Sequence, residues 1–140
     1  MKTPALLDTG PLVAFLNRRD RFHPWAVARL GEIEPPLLTC EAVLSEACFL
    51  LRHQPEGPPA VLELVERDLV RIGFSLGAHL AAVHRLLARY AQLPISLADA
   101  CLIHLAEINT GSPLLTLDSD FRIYRIHGRR TIPALLPPSP

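Results

Sequence analysis

Residues 5–11, Ala5-Leu6-Leu7-Asp8-Thr9-Gly10-Pro11, decide how the rest of the chain is read. Three apolar residues in a row have strand length, and the acid, turn residues and proline behind them mark a strand handing over to a helix. A strand apolar on both faces belongs inside a sheet that is covered on both sides. An acid at its carboxyl end stands where open α/β folds place their ligand crevice. The same arrangement returns at Leu114-Leu115-Thr116-Leu117-Asp118.

Working outward, further short apolar runs at about 36–39, 69–74 and 130–135 alternate with segments of helical length or spacing. Helices are expected over about 11–17, 22–32, 40–53, 58–68, 76–91 and 97–109. Pro11 suits a first helical position, and Thr39 suits the cap of the third helix. Ser96 and Asp99 form a capping box, and Gly111 and Pro113 end the helix it opens. Strand alternating with helix implies an α/β fold, a parallel sheet between helical layers. At 140 residues the chain fits one domain, taken as residues 1–135 with a Pro-rich tail at 136–140.

Formal net charge is zero, so bulk charge does not announce a nucleic-acid partner, and any basic footprint must be local. No apolar run reaches membrane-spanning length, and MKTPALLDTG lacks the parts of a secretory signal, so a cytoplasmic protein is expected. Cys40, Cys48 and Cys101 are odd in number and lack CxxC spacing, which points to reduced core residues and away from disulfides or zinc. The six histidines are scattered and form no HExxH pair. Thirteen of the fourteen basic residues are arginine and there are fourteen prolines, a bias that fits genome composition and heat adaptation equally.

Of fourteen acids, Asp20, Glu32, Glu34, Glu56, Glu63, Glu66 and Asp68 fall in loops or on polar helix faces. Asp8 and Asp118 instead end buried strands. Asp99 shares a helical row with Leu102, Ile103 and Ala106 on a helix apolar almost all round. In the helix from 40 to 53, Cys40, Val43, Leu44, Ala47, Leu50 and Leu51 make the core stripe, with Glu46 at its border and Glu41 pointing away. Singly, each acid has an ordinary reading: Asp8 and Asp118 as helix caps, Asp99 as the acid of its capping box, Glu46 as a solvated flank. Together they are expected to converge on one pocket. Neighbouring carboxylates raise one another's pKa, and a cation relieves them. An all-oxygen set suits Mg²⁺ or Mn²⁺ rather than zinc.

The strings LLDTGPLVAFLNRRDRFHPWA, TCEAVLSEACFLL, ISLADACLIHLAE and LLTLDSDF, in that order, resemble the PIN domain, and specifically the compact VapC-type ribonuclease toxins. The resemblance runs from about residue 5 to about residue 132. It implies a three-layer α/β/α sandwich with a five-stranded parallel sheet of order 3-2-1-4-5. It also implies a metal-dependent endoribonuclease using Mg²⁺ or Mn²⁺, with one or two ions per site. Asp8, Glu46, Asp99 and Asp118 match the family's acids, with Asp120 as an extra ligand or an acid just outside the ligands and Thr9 and Thr116 as supporting hydroxyls. An antitoxin protein and a second copy of the chain are the implied partners. Arg18, Arg19 and Arg21, and Arg122, Arg125, Arg129 and Arg130, are candidates for holding the RNA backbone.

A PIN-type nuclease of RNA maturation or of structured DNA would use the same acids. A phosphoryl-aspartate receiver domain is disfavoured, because no lysine follows Lys2. A non-catalytic interaction module remains a distinct alternative.

Overall fold

In the computed structural model, which describes residues 3–138, five strands form a parallel sheet. In chain order the elements are β1 (Leu6–Leu7), α1 (Thr9–Leu16), α2 (His23–Glu32), β2 (Leu37–Thr39), α3 (Glu41–Leu50), α4 (Gly57–Glu66) and β3 (Val70–Ile72). A 3-10 turn (Leu76–His79) leads into α5 (Leu80–Arg89), α6 (Leu97–Ile108) and β4 (Leu114–Leu115). A second 3-10 turn (Ser119–Arg122) precedes β5 (Arg125–Ile126), β6 (Arg130–Thr131) and β7 (Ala134–Leu135).

The sheet order is β3-β2-β1-β4-β7, the architecture of a three-layer α/β/α PIN-like fold. Leu6 pairs with Leu38 on one side and Leu114 on the other, and Leu7 pairs with Leu115. Leu6, Leu7, Leu114 and Leu115 are wholly buried, as central strands covered on both faces must be. This register sets Asp8 beside the residues that follow β4, with the Asp8 N–H donating to the Leu115 carbonyl at 3.0 Å.

Helix α6 is the spine of the core. Every residue from Ala100 to Ala106 is buried, and the helix packs against α3, α5 and β1. Its capping box forms as expected, Ser96 accepting from the Asp99 N–H at 3.0 Å and Asp99 accepting from the Ser96 N–H at 3.1 Å. Phe121 and Tyr124, nearly inaccessible, meet edge to face in the core with ring centroids 5.3 Å apart.

Several expectations are corrected. Helix α1 starts at Thr9, two residues before Pro11, because Asp8 itself caps it. Cys40 is the residue before α3, while the Thr39 hydroxyl donates to the Leu7 carbonyl at 2.8 Å and fastens β2 to β1. α3 ends at Leu50, not near residue 53, and Leu50 is 51 % exposed, so it is no part of the core stripe.

The expected helix over 76–91 divides into a 3-10 turn and α5. The expected strand over 130–135 divides as well. Its first part, Arg130–Thr131, pairs antiparallel with β5, and only Ala134–Leu135 joins the sheet. Pro133, which lacks an N–H, stands between them. The 136–140 tail is described as far as Pro138; residues 139 and 140 lie outside the described residues. Among the described residues no helix is long and apolar enough to cross a membrane. The cysteines are free, Cys40 and Cys101 buried and Cys48 half-buried.

A tight approach at the start of α4 gives a stability test. A β-carbon on Gly57 would collide with the carbonyl and side chain of Leu51, whereas one on Gly31 in α2 meets open space. Gly57→Ala should therefore cost about 1–3 kcal/mol in urea unfolding, as overpacking does. Gly31→Ala should be neutral or stabilising by up to about 1 kcal/mol.

Candidate active site

The carboxyl ends of β1 and β4 are tied by a single hydroxyl. Thr116, fully buried just after β4, donates to Oδ2 of Asp8 at 2.7 Å, and its oxygen accepts the Asp118 N–H at 3.0 Å. Oδ1 of Asp8 accepts the Thr9 N–H at 2.7 Å, the N-cap bond that starts α1. Asp118 caps the following 3-10 turn in the same manner, its Oδ1 accepting the Asp120 N–H at 2.9 Å. Asp120 thus enters through its backbone, with a half-buried side chain.

Asp99, half-buried, is held by its capping box at the first turn of α6. Glu46 is exposed on α3, farther out than its place beside the core stripe suggested. Its Oε2 nonetheless accepts the Thr9 hydroxyl at 3.1 Å, so Thr9 links α3 to the β1 end. Asp8, Asp99 and Asp118 are all capping residues, as the ordinary reading expects, and they share one neighbourhood.

Their electrostatics show that proximity. Burial pushes the Asp8 carboxyl up from its ordinary 3.8 to about 6, against the bonds from Thr116 and Thr9, with the charges of Asp99 and Asp118 adding to the rise. Burial raises Asp99 too, against its bonds to Ser96, and Asp118 and Glu46 push the same way. The phenol of Tyr124 is raised first by burial and then by Asp99, Asp120 and Asp118. Tyr124, absent from the residues expected at the site, is the buried wall beside these acids; its only sequence signal is an aromatic spaced three residues after Phe121.

Among the described residues no three His, Cys, Asp or Glu side chains form a group able to hold a metal ion directly. The donor set still suits a hydrated hard ion. Mg²⁺ takes one or two carboxylates and keeps several waters, and a buried carboxylate raised by like charges is relieved by a cation. Asp8, Asp99 and Asp118 are the acids that could hold such an ion through its waters.

The arginine candidates divide. Arg18 and Arg19 are exposed beyond α1. Arg21 and Arg122, from the two sequence clusters, line one cleft of about 290 Å³ with Leu117, Ser119 and Leu136 beside Asp118. Arg125 is half-buried, and its Nη1 donates to the carbonyls of Arg122, Ile123 and Tyr124, which makes it a brace for the turn.

Asp8 and Asp118 thus follow the carboxyl ends of two neighbouring central strands, where open α/β folds place their ligand crevice. A family model of the PIN domain matches residues 5–126, and the chain belongs to the PIN-domain family. PIN domains are generally metal-dependent nucleases that bind RNA. No protein of curated function matches the chain closely enough to count as a relative.

Asp8 gives a pH test of the site in metal-free protein. Because its folded pKa is raised, its contribution to stability is full below about pH 4 and is lost as pH rises through about 6. In EDTA at pH 7, Asp8→Asn should unfold at higher urea than the parent, by up to about 3 kcal/mol at ~1.4 kcal/mol per pKa unit, and the gap should close near pH 4. A gap that is unchanged between the two pH values would contradict the assignment.

Proposed function

We propose that this PIN domain is a metal-dependent endoribonuclease using Mg²⁺ or Mn²⁺, and that it serves as the toxin of a cytoplasmic toxin–antitoxin pair. The observation that carries the nuclease reading is the buried Asp8 carboxylate, raised to about 6 with Asp99 and Asp118 beside it. A hydrated divalent ion bound there supplies a water of lowered pKa and positive charge at the phosphorus.

The chain's own residues do the rest. Asp8 is fixed by Thr116 and Thr9, so its remaining lone pairs have one direction. Asp99 and Asp118 hold their positions through backbone N–H groups, which spares them a rearrangement when substrate binds. Glu46, on the exposed side and anchored by Thr9, would serve as a ligand or orient the attacking water. Arg21 and Arg122 share a cleft with Leu117 and Ser119, the chain neighbours of Asp118, and would supply the positive charge that a phosphate needs.

Two apolar features support the partner proteins. Phe49 and Leu50 on α3 and Leu62 on α4 are more than half exposed, a surface for a second copy of the chain. An apolar cleft of about 310 Å³ runs between α1, α2 and α4, lined by Phe15, Val27, Leu30 and Leu64 among others, and suits one apolar row of an antitoxin helix.

The test is RNA cleavage by purified protein in Mg²⁺, in Mn²⁺ and in EDTA. Asp8→Asn and Asp99→Asn should abolish cleavage, while Thr116→Val, which loosens Asp8 and Asp118 without removing either carboxylate, should reduce it about 10- to 100-fold. Cleavage that survives EDTA, or equal cleavage by the two Asn variants, would sink the mechanism. Failure to cut RNA with either ion would favour a non-catalytic interaction module.

A further inference from the structure

The chain is neutral overall, but its charges are segregated. No acid lies between Asp68 and Asp99, and none follows Asp120, while these two stretches hold Arg71, Arg85, Arg89, Arg122, Arg125, Arg129 and Arg130. The fold lays the two acid-free stretches against each other. Arg89 on α5 donates to the Gly128 carbonyl in the β5–β6 turn at 3.1 Å, and the Tyr90 hydroxyl accepts the Arg125 N–H at 2.9 Å. Tyr90 and Tyr124 meet edge to face with centroids 5.1 Å apart. A groove of about 750 Å³ results, lined by Arg85, Arg89, His127 and Gly128, and His127 also borders a cleft of about 440 Å³ with Arg129 and Arg130.

The hairpin that completes this groove is well fixed. His127 and Gly128 take φ of 51° and 78°, the two left-handed residues of a tight hairpin turn, and they present Arg129 and Arg130 directly behind it. Among the described residues the arginines in ion pairs are Arg29, Arg67 and Arg71, so those of the groove have no carboxylate partner. Arg85, Arg129 and Arg130 are exposed. Glu107 is the acid in the lining, and it is engaged: its Oε2 accepts the His127 N–H at 2.8 Å and its Oε1 lies 3.8 Å from His104 Nδ1.

We infer that the groove between α5 and the β5–β6 hairpin is a second RNA-backbone-binding face, on which Arg85, Arg89, Arg129 and Arg130 hold substrate phosphates away from the cleavage point. This rests on the RNA-cleaving reading of the acid site. Guanidinium forks match phosphate oxygens bidentately, and beside the arginines the lining is mostly small or aliphatic, Ala82, Leu86 and Ala88, with His127 as its ring, so the face reads chiefly backbone. Helix α6 sets the spacing, with Asp99 in its first turn and Glu107 in its last. Eight residues at ~1.5 Å each give about 12 Å, or three to four nucleotides at a stacked rise of roughly 3.4 Å. Tyr124 and Tyr90 stand between the two places, joining the acids to the arginines by packed rings.

The experiment is an anisotropy titration of a labelled single-stranded RNA oligonucleotide at several salt concentrations, in the Asp8→Asn background. It compares that protein with one also carrying Arg85→Ala, Arg129→Ala and Arg130→Ala, side chains whose loss breaks none of the hydrogen bonds described above. The triple change should raise Kd at least about tenfold and lower the slope of log affinity against log salt by about 2, near 0.7 for each phosphate no longer neutralised. An unchanged Kd and slope overturn the inference, as does poly-L-glutamate displacing the RNA at equal charge, which would make the face a seat for acidic protein. A protein with native Asp8 that cuts no RNA, but whose RNA binding falls with the triple change, overturns the nuclease reading and keeps this face. Cleavage by the triple variant with unaltered rate and KM does the reverse.

Discussion

The buried hydrogen bond from the Thr116 hydroxyl to Asp8 is the interaction on which the rest of the site depends. It can form only because β1 and β4 are neighbours in register, Leu7 opposite Leu115. A carboxylate this far from water is costly unless its lone pairs are satisfied, and Thr116 and the Thr9 N–H satisfy them from two different elements. The same Thr116 oxygen takes the Asp118 N–H, so one side chain fixes two acids at once. Sheet register thereby becomes site geometry, without any loop having to be ordered for the purpose.

Capping and chemistry coincide in this protein. Asp8, Asp99 and Asp118 each satisfy backbone N–H groups that a helix or turn start leaves without partners. Those bonds lower the cost of keeping the carboxylates charged, while burial and mutual repulsion raise it; for Asp8 and Asp99 the second influence wins. That surplus, set first by burial and then by repulsion, is what a bound cation would relieve. An acid-site fold is thus less stable than its packing alone would make it, a common feature of sites built for function.

Charge segregation gives the molecule a second axis. Eight of the fourteen acids lie between residues 32 and 68, while α5 and the chain after Asp120 carry only basic charges. A net charge of zero therefore conceals a face that attracts polyanions at short range, within the screening length of physiological salt.

Much of the fold was legible in the chain because strand ends and caps are local signals. Leu6-Leu7-Asp8, Leu114-Leu115 and the Ser96/Asp99 box act through residues close in sequence. What depended on meetings between distant segments was not legible. Leu50 has the spacing of a core residue but faces outward at the end of α3, where the next residue, Leu51, takes the buried place. The split of residues 130–135, the bond from Thr9 to Glu46, the wall made by Tyr124 and the joining of Arg89 to Gly128 all span long stretches of chain. The sequence by itself determined which acids end strands and cap helices, since period and capping are properties of neighbours. Only the tertiary structure decided which side chains meet, because register and helix packing, rather than spacing, bring residue 8 to residue 116 and residue 89 to residue 128.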